Sequence, residues 1–209
     1  PLLHSSDPAE MASLACKNAL LNRGVSHIIF PDEIQALPAE DREPGNPKGR
    51  VAAPEITPPP AALDEAVAQL RGAERPAIIV GHGARYDMAA VVAFAERLGC
   101  PVLTTFKAKG QIADTHPLGC GVLGRSGTPI ASHFMNESDL LLVLGASFSN
   151  HTGITPKKPT IQIDFERMAL GRTFPVDVPV WGEIGTTLAA LADALSEAPV
   201  AARDHRDEV

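Results

Sequence analysis

Gly81-His82-Gly83 stands directly after the apolar run Ala77-Ile78-Ile79-Val80, and a helical pattern of Met88, Val91, Val92, Ala95 and Leu98 follows it. A strand, a glycine-rich turn and a helix in that order make half of a βαβ unit. Such a turn aims backbone N–H groups past the strand end, and the helix N-terminus adds its positive dipole. The chemistry on offer is the holding of an anionic group such as a phosphate. A full dinucleotide fingerprint asks for G-x-G-x-x-G and an acidic residue about 20 positions on. Here Tyr86 takes the third glycine position, and the next strand, Val102-Leu103-Thr104-Thr105, ends without a carboxylate. Two readings stay open: an anion cradle, or a tight turn in which Gly81 and Gly83 permit unusual dihedrals.

Other chemistry-bearing patterns are thinner. His82 either donates to a phosphate or faces solvent. His116 and Cys120 are four apart, but Pro117 and Gly119 intervene and no third ligand is evident, so no metal site is expected. Ser126 in Gly124-Arg125-Ser126-Gly127 starts like a nucleophile elbow without completing G-x-S-x-G. No catalytic residue is assigned.

Around these turns the chain alternates short apolar strands with helices. The pattern predicts helix Ala61–Arg71, strand Ala77–Val80, helix Asp87–Leu98, strand Pro101–Thr105 and a short helix over Lys107–Ile112. Strand Leu118–Val122, helix Pro129–Asn136 and strand Asp139–Leu144 follow, then strands Thr160–Ile163 and Val178–Val180 and helix Glu183–Leu195. Near-continuously apolar strands between helices mean a parallel sheet covered on both faces, an α/β fold. Ligands in such sheets sit outside the carboxyl ends of the strands, where the strand order switches. Gly81–Arg85, Thr104–Ala108, Gly145–Asn150 and Asp164–Glu166 lie at those ends, and the Leu123–Gly127 loop joins them.

Before this domain, Asp7-Pro8 starts a helix with an apolar face of Met11, Leu14, Ala15, Ala19 and Leu20, closed by Gly24. Val25–Phe30 reads as a strand. One helix and one strand cannot bury both faces alone, so residues 1–38 read as the end of a preceding domain. Residues 39–60 are rich in proline and carry Glu40-Asp41-Arg42-Glu43, which predicts an extended linker. Residues 61–197 form the main domain, and 198–209 are expected to be a frayed tail with a solvated charge run, Arg203–Glu208.

The chain has 209 residues, 44% hydrophobic and 21% charged, with net charge −7 and no basic cluster. That composition is globular and argues against nucleic-acid binding, which needs clustered Lys and Arg. No apolar run approaches the roughly 20 residues of a bilayer span, and no leader is visible. Cys16, Cys100 and Cys120 are scattered, which reads as reduced thiols in a cytoplasmic protein.

Five segments in order, RPAIIVGHGA, LGCPVLTTFKAKG, HPLGCGVLGRSGTP, ESDLLLVLGASF and TIQIDFERMALGR, resemble the central domain of thiamine-diphosphate-dependent enzymes of the pyruvate oxidase and acetolactate synthase type. VSHIIFPDEIQALP is similar to the end of that family's pyrimidine-binding domain. The resemblance implies a six-stranded parallel sheet, Rossmann-like but distinct from the NAD fold, that in flavin-containing members holds the ADP half of FAD. It would place Gly81, His82, Gly83 and Arg85 near the diphosphate, with Thr104, Thr105 and Phe106 on the second turn. Leu123, Gly124, Arg125 and Ser126 would form a third loop; Gly145, Ala146, Ser147 and Ser149 a fourth; Asp164 and Phe165 would lie by the adenosine. Ser147, Ser149 and Asn150 stand where acetolactate synthases carry arginine and aspartate, which removes a phosphate contact. Members without flavin keep the domain as a ligand-free scaffold or use it for another nucleotide such as ADP. Neither the family's activating glutamate nor its GDG motif for magnesium and diphosphate occurs here. Thiamine diphosphate and Mg2+ are therefore expected only in a full-length enzyme, together with the flanking domains and a homo-oligomeric assembly.

Overall fold

A computed structural model describes residues 7–38, 48–53, 55–197, 200 and 204–209. The chain divides into two compact units, Pro1–Pro54 and Glu55–Val209. Most of the proline-rich segment, residues 39–47 and Pro54, lies outside the described residues, as do 198–199 and 201–203 of the tail.

In the first unit, helix α1 spans Pro8–Leu21. The Asp7 carboxylate accepts from the N–H groups of Ala9 and Glu10 at 2.9 and 3.3 Å, which satisfies two orphan donors of the first turn. None of the α1 side chains is buried. A single helical turn, α2, covers Asp32–Gln35. Val25–Phe30, expected as a strand, pairs with no strand among the described residues. Its sequence has strand propensity, but a strand exists only as a pairing, and Val25 is 95% exposed.

The second unit holds a six-stranded, all-parallel sheet. Helix α3 (Pro60–Gly72) leads into β1 (Pro76–Val80), then α4 (Met88–Leu98), β2 (Val102–Thr104) and β3 (Gly119–Val122). Helix α5 (Pro129–Glu137), β4 (Leu140–Leu144), β5 (Thr160–Asp164), β6 (Val178–Trp181) and α6 (Ile184–Ser196) complete it. The strand order is β3-β2-β1-β4-β5-β6, so the order reverses between β1 and β4. Val80 pairs with both Thr104 and Leu144, which brings the carboxyl ends of the central strands level.

The helices divide unevenly between the two faces. Ile78, Val80, Leu140, Leu142, Leu144, Ile161 and Ile163 pack with α3, α4 and α6. The alternate residues Ala77, Ile79, Leu141 and Val143 pack with Ala131, Phe134 and Met135 of α5 and with the loop residues Phe148 and Ile154. Both faces of β1 and β4 are thus buried, which explains their unbroken apolar runs. The short helix expected at Lys107–Ile112 is instead a 3-10 turn at Phe106–Ala108. Gly110 (φ 89°) breaks the helical path there.

The tail differs most from expectation. Residues 204–209 are docked, and His205 is 1% exposed.

Candidate functional site

The carboxyl rim of the sheet brings the sequence-predicted residues onto one edge, in three groups.

The first group sits at the switch between β1 and β4. After Val80 the chain enters a 3-10 turn, His82–Tyr86, before α4 begins at Met88. Gly81 and Gly83 do not need unusual dihedrals, since Gly81 is extended (φ −100°, ψ 178°) and neither has a positive φ. Their role is approach. A Cβ on Gly81 would lie 2.1 Å from the Gly145 carbonyl oxygen, and one on Gly83 would lie 2.8 Å from the Gly145 Cα. Gly145 itself has φ 57°, the left-handed region that favours glycine. The two turns are laced together: Gly81 N–H donates to Leu144 O at 2.8 Å and Gly83 N–H to Gly145 O at 2.9 Å. Ala84 N–H donates to Gly81 O, and Gly145 N–H to Ile163 O. These amides are thus engaged inside the protein. His82 is exposed, while Arg85 donates to the His82 carbonyl at 2.9 Å and lies 4.2 Å over the Tyr86 ring. The Arg85 guanidinium is held by its own turn.

The second group lies over β2 and β3. Thr105 N–H donates to Val80 O, and Leu123 N–H to Thr104 O. The Thr104 hydroxyl donates to Gly121 O at 3.1 Å. Gly124 packs between Phe106 and His151: a Cβ there would meet the His151 carbonyl oxygen at 2.4 Å and the Phe106 ring at 2.8 Å. Arg125 N–H donates to His151 O at 3.2 Å. The side chains of Phe106, Arg125, Ser126 and His151 are each exposed, on segments whose backbones meet at Gly124. His151 was not singled out from the sequence. Nothing in its surroundings there signals that its carbonyl would seat Gly124 and Arg125.

In the loop after β4, alternate side chains are anchored. Ala146 and Phe148 are buried, with Phe148 edge-on to Phe174 at 6.3 Å, which leaves Ser147 and Ser149 exposed. The Ser149 hydroxyl is 3.0 Å from that of Thr152.

The third group lies at the ends of β5 and β6. Asp164 is buried, its carboxylate accepting from Glu166 N–H at 2.9 Å. Burial raises its pKa above the ordinary carboxylate value, and the charges of Glu166 and Glu183 add to the shift. Trp181 donates from Nε1 to the Phe165 carbonyl at 2.8 Å, and the Arg167 guanidinium lies 3.9 Å over its ring. Buried Gln162 accepts from Gly171 N–H and donates to Ala169 O, stapling the loop after β5. A lone amide in the strand TIQID was the sequence sign of that staple. Strands β2 and β5 stand three positions apart, about 14 Å at ordinary strand spacing, so the second and third groups do not touch one ligand group together.

Among the described residues no cluster of three or more His, Cys, Asp or Glu side chains is arranged to hold a metal. Cys100 and Cys120 are buried with pKa values pushed up to about 12, so both thiols are unreactive. No described helix is long and apolar enough to cross a membrane.

A family model described as thiamine pyrophosphate enzyme, central domain, matches residues 63–191. The chain is 33% identical over 147 residues to the acetolactate synthase large subunit of Corynebacterium glutamicum, covering 67% of this chain and 24% of that protein. It is 31% identical over 142 residues to the acetolactate synthase isozyme 1 large subunit of Escherichia coli, covering 66% and 25%. Among solved structures, benzoylformate decarboxylase from Polynucleobacter necessarius aligns with TM-score 0.59 at 21% identity, over 74% of this chain and 30% of that one. That likeness shows the fold. The chain spans about a quarter to a third of the length of the curated relatives it matches.

Proposed function

We propose a role that proceeds from one premise: the chain belongs to the thiamine pyrophosphate enzyme central-domain family. In a full-length enzyme that cleaves or joins the bond next to the carbonyl of a 2-oxo acid, this domain holds its neighbouring domains in place. Its glycine turn works as a structural joint. Thiamine diphosphate and Mg2+ belong to the neighbouring domains, and a homo-oligomeric assembly accompanies them.

The observation that carries the joint reading is the engagement of Gly81, Gly83, Ala84 and Gly145 N–H groups by carbonyls of the same rim. A diphosphate cradle needs such amides pointing outward. Here they lace two turns together, with the Gly81 and Gly83 backbones lying against Gly145. Those four amides are therefore not free to hold the diphosphate of FAD.

A second reading rests on a separate observation. Phe106, Arg125, Ser126 and His151 are each exposed, and their segments meet at Gly124. A flat ring and a guanidinium in that arrangement suit an ADP-like nucleotide held by side chains. Equilibrium dialysis of the 209-residue chain against FAD and against ADP separates the two. The joint reading predicts no saturable binding of either. Saturable binding lost in Arg125→Ala supports the side-chain reading, and binding that survives Arg125→Ala returns the turn to the role of cradle.

A further inference from the structure

At the amino edge of the sheet, opposite the rim, Pro76 opens β1, Pro101 precedes β2 and Ser138 precedes β4. A small hollow among them is lined by Arg75, Pro76, Pro101, Phe134 and Ser138, together with the imidazole of His205. That imidazole stands edge-on to Phe134, with centroids 6.2 Å apart. The segment carrying it crosses Gly99 so closely that a Cβ there would meet the Asp204 Cα at 2.7 Å.

Four attachments surround the buried ring. His205 N–H donates to Gly99 O at 3.1 Å, and the Arg206 guanidinium donates to Glu96 O at 2.6 Å. Arg75 bridges to the Glu208 carboxylate at 2.7 Å, with both side chains substantially exposed. His205 Nδ1 lies 3.0 Å from the same carboxylate. An ionised carboxylate only accepts, so Nδ1 carries a hydrogen. His205 Nε2 is buried and has no hydrogen-bond partner. Burying an unpaired polar atom opposes docking, and a half-exposed ion pair returns little. The apolar seat and the penalty therefore act against each other in one side chain.

We propose that Asp204–Val209 is a detachable strap: His205 plugs the amino edge, its unpaired nitrogen keeps the docked and released forms near balance, and the strap opens without unfolding the domain. Release uncovers Phe134, Pro76 and Pro101 beside the Arg75 guanidinium. Local openings of this kind involve segments with few buried contacts and mostly exposed side chains. Asp204, Arg206, Asp207 and Glu208 are all exposed, while Val209 is partly buried against the cluster that holds Phe134.

Amide exchange of His205 and Glu208, followed by NMR on the 209-residue chain, tests this against urea unfolding of the same samples. The expected result is exchange at least tenfold faster than for the β1 amides. His205→Leu, which keeps an apolar plug and removes the unpaired nitrogen, slows that exchange several-fold. Glu208→Gln speeds it several-fold with the urea midpoint unchanged. Exchange in His205→Leu that is unaltered or faster overturns the proposal, and so does a Glu208→Gln variant whose urea midpoint falls as the strap loosens.

Discussion

At the carboxyl rim, Gly81 and Gly83 meet Gly145 backbone to backbone, whereas at the amino edge the central strands are closed by side chains, His205 under Phe134 and Arg75 on Glu208. Both closures lie over the centre of the sheet, where β1 is flanked by β2 and β4. They differ in what can yield. A backbone contact has no rotamer to change, so anything added at the rim displaces a strand end. A side-chain contact adjusts by rotation and by small changes of volume. The rim is therefore suited to a fixed joint, and the amino edge to a fastening whose strength is tunable.

The comparison is tested most harshly by Gly81→Ala. The added Cβ would sit 2.1 Å from the Gly145 carbonyl oxygen and 2.3 Å from the Ala146 Cα, both backbone atoms. A cost of about 3 kcal/mol or more is expected in urea unfolding, at the upper end for overpacking. Gly153→Ala supplies the control. Gly153 has φ 64° but open space around it, so only the left-handed conformation is penalised, at about 1 kcal/mol. Equal losses in the two variants would mean that approach is not what glycine provides at the rim.

Asp164→Asn gives a smaller effect of opposite sign. Burial holds the Asp164 pKa above its unfolded value of 3.8, so the native state keeps that proton to higher pH than the unfolded chain does. Stability from this group is present below the unfolded pKa and declines as pH rises through the raised one. Asn keeps an oxygen for the Glu166 N–H and carries no charge. The variant is expected to be more stable than the parent at pH 7, with the gap closing toward pH 3, as read from urea midpoints.

The mildest test lies at the other edge. Hydrogen bonds from Arg75 and from His205 hold the Glu208 carboxyl down, to about 2 from 4.5. Its contribution to docking is complete above 4.5 and is lost as pH falls through about 2. An NMR titration of the Glu208 side chain is expected to show a midpoint below 4.5, displaced only as far as the docked strap is populated, and a midpoint unmoved from 4.5 would separate Glu208 from Arg75 and His205.

Much of the sheet was legible because its strands are buried on both faces and so write their presence as apolar runs. Leu140–Leu144 and Pro76–Val80 are the clearest examples. Val25–Phe30 carries the same composition and forms no strand, since composition records propensity and pairing requires a partner. The spacing of Gly81 and Gly83 looks the same whether the glycines clear room for a phosphate or for Gly145, and only distance separates the cases. His205 was hidden for a different reason. It sits among Asp204, Arg206, Asp207 and Glu208, whose charges describe a solvated segment, and the fit of one imidazole against Phe134 leaves no mark on that pattern.

The rim amides are engaged by the protein itself. An NMR titration of the 209-residue chain with ADP reads those amides directly. The Gly81, Gly83 and Gly145 N–H resonances are expected to stay in place up to millimolar ADP. A saturable shift of those three resonances, larger than at Arg125 or His151, would contradict that engagement.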